Sequence, residues 1–378
     1  MIKKIPFNKP YIAGNEIKYI NDSIVNGHIS GRGPFTIKAE NTLKKQAYSS
    51  SDVFLTSSCT HALEISSILI NLNTGDEIIV PSYTFVTTAL AFYMHGAKIV
   101  FADIREDTLN IDENKIEKLI SKKTKAIVVV HYAGVGCEMD TIMKIAKKYN
   151  LIIVEDNAHG LYAKYKKKNL GTFGNLSTLS FHETKNITSG EGGAIIVNDK
   201  KLTDRTENIL EKGTDRIKFL KGRVNKYNWV DKGSSYVMSD LLASFLCAQL
   251  EKSEKIRKIR KKIWFHYNKN LKNWSLINRV QLPFVPKHCD QSHHMFYIML
   301  PNKKTRDKMI LYLNKQNIKA IFHYLPLHLS KMAKKQSRQY NCPISKKISE
   351  RIIRLPFYND IKISELNYII SSIKKFNI

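Results

Sequence analysis

The chain has 378 residues, 43% of them hydrophobic, which excludes a disordered or collagen-like polymer and leaves apolar material for a large core. The formal net charge of +28 favours an anionic ligand such as a nucleotide diphosphate. The lysines are spread with Ile and Asn along the whole chain, which reads as a solvated surface and excludes a recognised nucleic-acid module. Five cysteines (Cys59, Cys137, Cys247, Cys289, Cys342) contain no Cys-x-x-Cys pair and fit neither a disulfide framework nor a structural zinc site, so they read as the reduced thiols of a cytoplasmic protein.

The N-terminal stretch has basic residues but is interrupted by Pro6 and Pro10, with no apolar run behind it, so it is not read as a signal peptide. No segment reaches the ~18 consecutive apolar residues of a spanning helix. From residue 60 the pattern becomes regular. It predicts a helix over 60–72, a strand over 77–80, a helix over 84–95 and a strand over 98–104. A helix over 114–121, a strand over 126–132, a helix over 139–149 and a strand over 151–156 follow. Short β-branched runs alternating with helices imply βαβ units and a mainly parallel sheet covered on both faces. Strands over 176–181 and 194–198 then flank the Gly-rich segment Ser189-Gly190-Glu191-Gly192-Gly193. A long helical stretch over 238–264 carries the chain out of the sheet. Beyond a break at 280–286, a strand near 295–300, a helix over 305–316, a strand near 318–324 and helices near 345–354 and 364–374 read as a smaller α+β unit. The expected division is a large α/β domain over 1–250 and a C-terminal domain over 251–378.

Open parallel sheets bind ligands outside the carboxyl ends of their strands. Three motifs fall there. Asp156 ends Leu151-Ile-Ile-Val-Glu-Asp156, where a carboxylate could keep a heterocycle nitrogen protonated and so make the ring an electron sink. Lys185 follows the strand ending at Phe181 and precedes the Gly-rich turn; desolvation there would lower its pKa and yield the free amine that a Schiff base requires. Ser57-Ser58-Cys59-Thr60 opens a helix whose N–H groups could receive a phosphate. Together they outline a pyridoxal 5′-phosphate (PLP) site, with Phe85 of Pro81-Ser82-Tyr83-Thr84-Phe85 as an aromatic to stack on the ring.

With these motifs in place, the sequence resembles the DegT/DnrJ/EryC1/StrS family of sugar-nucleotide aminotransferases over nearly its whole length. The resemblance runs through Gly31-Arg32-Gly33-Pro34, Glu155-Asp156-Asn157-Ala158-His159, Ser180 to Lys185, Gly233 to Asp240 and His323-Tyr324-Leu325-Pro326-Leu327-His328. Phe181-His182-Glu183-Thr184-Lys185-Asn186 and Val130-His131-Tyr132-Ala133-Gly134-Val135 look like bacterial TDP-4-keto-6-deoxyglucose 4-aminotransferases. The resemblance implies the type I PLP-dependent transferase fold and a homodimer. It also implies ping-pong transfer from L-glutamate to TDP-4-keto-6-deoxy-D-glucose. The products would be 2-oxoglutarate and TDP-4-amino-4,6-dideoxy-D-galactose, or its gluco epimer, for surface polysaccharide.

By position, Lys185 would carry the cofactor and shuttle the proton, and Asp156 would pair with the ring nitrogen. His159 would bond the ring hydroxyl, Cys59, Thr60 and Ser180 would hold the phosphate, and Phe85 would stack. His323, Tyr324 and His328 are candidates for the sugar-nucleotide side. Two positions depart from the family. Ser235 stands where an Asn often reaches the partner subunit's phosphate, and His159 stands where many members have Gln. Members with a histidine at the lysine position dehydrate the sugar instead, and Lys185 argues against that.

Two other readings compete. The stretch 126–156 mimics a dinucleotide fingerprint through Gly134-x-Gly136, but Met139 takes the third glycine position and Glu138 and Asp140 would repel a pyrophosphate. His288, Cys289, His293 and His294 resemble a metal cluster but are expected to be ordinary surface histidines, with no metal bound.

Overall fold

A computed structural model describes residues 4–335 and 340–378; the first three residues of the N-terminal stretch lie outside it. Seven strands form the central sheet: β1 (Asp52–Thr56), β2 (Glu77–Pro81), β3 (Lys98–Ala102), β4 (Thr124–Val130), β5 (Ile152–Asp156), β6 (Leu176–Ser180) and β7 (Gly193–Val197). Their spatial order is β1-β7-β6-β5-β4-β2-β3. The pairs β6–β5, β5–β4, β4–β2 and β2–β3 are parallel, while β7 runs antiparallel to both β1 and β6. The sheet is therefore mainly parallel, with one reversed strand supplied by the Gly-rich turn.

Alternation along the strands assigns each face its helices. Ile78 and Val80 of β2 and Val128 of β4 pack with Ile65 of α3 (Cys59–Leu69) and Phe92 of α4 (Thr87–Tyr93). Ile79, Ile127 and Val129 face the other way, against Met139, Ile142 and Ile145 of α5 (Met139–Tyr149). That period of two on buried strands is why both faces read as continuous hydrophobic runs. Two helices not expected from the sequence, α1 (Glu16–Val25) and α2 (Pro34–Ala47), precede β1; Ala39 and Leu43 of α2 pack against Val53 and Leu55 of β1.

The long helix expected over 238–264 is two helices, α6 (Asp240–Glu251) and α7 (Ser253–Ile277), which meet at Lys252. At Lys252 the backbone leaves helical geometry, with φ −104° and ψ 11°. C-terminal to these, β8 (Tyr297–Met299) and β9 (Ile352–Arg354) form an antiparallel pair flanked by α8 (Lys303–Lys315), α9 (Pro343–Arg351) and α10 (Ile363–Lys375). The strand expected near 318–324 does not form: Ile318 and Ile321 make isolated bridges, to Ile5 and Arg354. The helix expected over 345–354 stops at Arg351, because Ile352 to Arg354 pair with β8 instead. This region shares one apolar cluster, including Trp264, Phe296, Ile353 and Ile369, which Ile5 also enters.

The register brings the chemistry-bearing residues together. Val130 lies opposite Asp156, and Asp156 opposite Thr178, so the carboxyl ends of β4, β5 and β6 are neighbours at one edge of the sheet.

Candidate active site

A cavity of about 410 Å³ opens at that edge. It is lined by Cys59, Thr60, Phe85, Asp156, His159, Ser180, Lys185, His323 and Tyr324 of the residues singled out in the sequence, and also by Phe7, Thr84, Thr87, His182, Glu191, His294 and Arg354. Two candidates are not in its lining. His328 places its Nδ1 2.5 Å from the Ser82 hydroxyl and steadies the turn after β2. Ser235 is exposed and bridges to Glu211.

Asp156 is 5% exposed at the end of β5. It accepts hydrogen bonds from the Thr88 hydroxyl (2.7 Å) and the Ala158 N–H (3.2 Å), and Thr84 lies 2.8 Å behind Thr88. Burial raises its pKa, against the opposing pull of Thr88, Ala158 and Lys185. Lys185 follows β6 in a turn closed by its own N–H to the His182 carbonyl at 2.9 Å. Burial lowers the pKa of its ammonium to about 8, with Cys59 and Asp156 resisting. A lysine brought this close to neutrality is a usable nucleophile and proton carrier.

The neighbouring histidines are held neutral. Burial pushes His159, His294 and His323 well below the usual histidine range. The His159 and His294 rings stack at 4.3 Å. The His294 Nδ1–H donates to Asn186 Oδ1 at 2.9 Å, tying that ring to the residue after Lys185. His159 Nδ1 is buried and has no hydrogen-bond partner. A buried ring nitrogen left open beside a nucleophilic amine and a carboxylate fits a substituted pyridine with a phenolic oxygen.

At the mouth, Phe85 is 55% exposed, which sets aside a role in core packing; its ring lies 6.2 Å from that of Tyr324. Opposite the acid, α3 begins with Ser58 as N-cap, whose hydroxyl accepts from the His61 N–H at 3.1 Å. The N–H groups of Cys59 and Thr60 in that first turn have no carbonyl one turn back to bond, which is the usual anion seat of a helix. Gly193 makes this possible, because a β-carbon there would lie 2.4 Å from the Cys59 nitrogen. Burial raises the pKa of the Cys59 thiol to about 12, so it is no competing nucleophile.

Behind the site, His131 and Glu155 are fully buried and 2.9 Å apart. His131 Nδ1 accepts from the Cys137 N–H, so Nε2 donates to Glu155, and Glu155 also gathers the N–H groups of Gly171, Phe173 and Gly174.

The competing motifs resolve into packing, although His293 and His294 are buried and not on the surface as expected, because they pack where the C-terminal region meets the sheet edge. A β-carbon on Gly134 would meet the Ser292 hydroxyl at 1.9 Å, and one on Gly136 would meet Leu170 at 3.2 Å, so the dinucleotide-like turn has no room for a pyrophosphate. His288 bonds Glu138 at 3.0 Å, and among the described residues no three His, Cys, Asp or Glu groups converge as metal ligands. No helix among them is long and apolar enough to cross a membrane.

Residues 10–374 match the model of the DegT/DnrJ/EryC1/StrS aminotransferase family. The chain belongs to that family. It is thus a PLP-dependent sugar-nucleotide aminotransferase with the type I fold. GDP-perosamine synthase of Escherichia coli O157:H7 is 31% identical over 99% of both chains. The spore coat polysaccharide biosynthesis protein SpsC of Bacillus subtilis is 30% identical over 98% of this chain and 96% of its own length. Spr1654 of Streptococcus pneumoniae, solved in its PLP form, superposes with a TM-score of 0.89 at 27% identity over 98% of each chain.

Proposed function

We propose that this DegT-family enzyme moves the amino group of L-glutamate to C4 of TDP-4-keto-6-deoxy-D-glucose, releasing 2-oxoglutarate and TDP-4-amino-4,6-dideoxy-D-galactose. The observation that carries the reading is the buried Lys185, its pKa lowered to about 8, in one cavity with a carboxylate and an open histidine nitrogen. The TDP-sugar choice rests on the motifs around Lys185 and His131. Bound PLP supplies an aldehyde that condenses with amines and a protonated ring that spreads negative charge.

This chain's residues do the rest. Lys185 Nζ would hold the cofactor and, once freed by the incoming amine, would take a proton from one carbon and return it to another. Asp156, fixed by Thr88, holds the proton on the ring nitrogen. His159 meets the ring hydroxyl, and Phe85 covers one face. Cys59, Thr60 and Ser180 seat the phosphate, with Ser235 reaching it from a second copy of the chain in a cytoplasmic homodimer. His323 and Tyr324 meet the sugar, while His328, bound to Ser82, shapes the turn beneath Phe85.

A GDP-linked keto sugar is the second reading, favoured by the identity to GDP-perosamine synthase over the full chain. Incubation with L-glutamate, PLP and each nucleotide sugar separately, followed by NMR of the product, distinguishes them. A small coupling between H3 and H4 reports the galacto amine and a large one the gluco epimer. Failure of both sugars to gain nitrogen refutes the proposal.

A further inference from the structure

Arg354 interrupts the apolar run Ile352-Ile353-Arg354-Leu355, whose other three residues are fully buried. On β9 it shares a face with Ile352, whose cluster contains Tyr83, Tyr132 and Tyr324. Its backbone is clamped, with its N–H to the Ile321 carbonyl at 2.7 Å and its carbonyl accepting from the Ile321 N–H at 3.1 Å. The guanidinium lies 4.6 Å from the Phe7 ring, and its Nε is sealed from solvent with no acceptor. Among the described residues, no carboxylate forms an ion pair with it. Arg260, fully buried where Arg354 is half-buried, is the contrast: its three nitrogens bond the His293 carbonyl (3.2 Å), Asn359 Oδ1 (3.1 Å) and the His294 carbonyl (2.6 Å). Arg260 is a structural cation already satisfied, whereas Arg354 faces the cavity with its donors unspent.

We propose that Arg354 seats a carboxylate of the amino donor in the same cavity as Lys185. A half-buried cation whose Nε is sealed from solvent without a partner is costly unless an anion completes it. The planar fork of a guanidinium matches a carboxylate through two parallel N–H donors. Burial keeps His159, His294 and His323 neutral, so once Lys185 is engaged by the cofactor Arg354 is the cation these walls offer an incoming donor, suited to a carboxylate rather than to a diphosphate. The proposal rests on the transaminase reading and specifies the donor class.

The test uses PLP-loaded wild type, Arg354→Lys and Arg354→Gln, each checked for equal cofactor content. Glutarate, an unreactive dicarboxylate, is titrated by calorimetry. Its affinity should fall about ten- to a hundredfold in Arg354→Gln and less in Arg354→Lys. In stopped-flow half-reactions, the KM for L-glutamate should rise by the same factor. Conversion by the TDP-amino sugar, which has no carboxylate, should stay within about twofold of wild type on this scale. Unchanged glutarate affinity in Arg354→Gln overturns the proposal, as does equal loss with both amines, or loss confined to the nucleotide sugar. A wild type that reacts with glutamate but with no nucleotide sugar refutes the sugar assignment and leaves the Arg354 result standing. If wild type fails with glutamate too, glutarate binding alone still decides the role of Arg354.

Discussion

Lys185 occupies a place where a charged amine is expensive, and that expense is what makes it reactive. Arginine at this position would keep the charge and lose the titratable amine, so Lys185→Arg should abolish turnover and leave the protein without the absorbance of an imine-linked cofactor. The neutral amine attacks aldehydes. Its fraction in the unloaded protein grows as pH rises through about 8, so the rate of PLP uptake should climb through that pH and level off above it, as followed by absorbance. The linkage has the same sign. The folded state holds this proton less tightly than the unfolded chain, so the Lys185 contribution to stability rises between about 8 and the ordinary lysine value of 10.5, and is flat below. At the acid, Asp156→Asn removes the negative charge that Thr88 and Ala158 orient. Turnover should drop on the order of 10²-fold, read in steady-state assays with saturating cofactor.

At the scale of elements, the site depends on one strand passing close under one helix. Gly193 begins β7 against the first turn of α3, and a methyl group there must push aside the Cys59 nitrogen. Gly193→Ala should cost about 1–3 kcal/mol in urea unfolding and weaken PLP retention on dialysis, because the displaced N–H groups belong to the proposed phosphate seat. Strands β2 to β7 were legible in the sequence as short β-branched runs between helices. The site residues at their ends were legible too, since a lone Asp or Lys closing such a run stands out. β1 and helices α1 and α2 escaped, because the regular alternation starts only after them. The division of 238–264 into two helices escaped because Lys252 is neither Gly nor Pro and the apolar spacing continues past it. Ile352 and Ile353 read as the end of a helix until β8 supplied a partner. Thr88, His294 and Arg354 come from three separate segments, and only tertiary folding collects them. Of these, His294 stood out only within a metal-like run, and Arg354 is a charge within an apolar run whose meaning needed the fold.

Across the whole molecule, the excess of lysine forms a broad positive field outside a cavity whose walls are mostly neutral. A nucleotide sugar carries its charge on the diphosphate, so long-range attraction should speed its encounter and be screened by salt. Raising sodium chloride from about 0.05 to 0.5 M should increase the KM for the nucleotide sugar severalfold while kcat stays constant, measured at saturating L-glutamate. The smallest segment with the widest reach is the one around Ile5. It bridges to Ile318 and is buried in the C-terminal cluster, and Phe7, two residues on, covers the guanidinium of Arg354. At roughly 5–20 residues per second on the ribosome, Ile5 emerges ahead of the whole sheet and then waits on the order of a minute or less for Ile318 to be made. Translation thus leaves the parallel sheet free to assemble well before the cavity can be walled in, and that wall is set by a segment made before the sheet meeting one made after it.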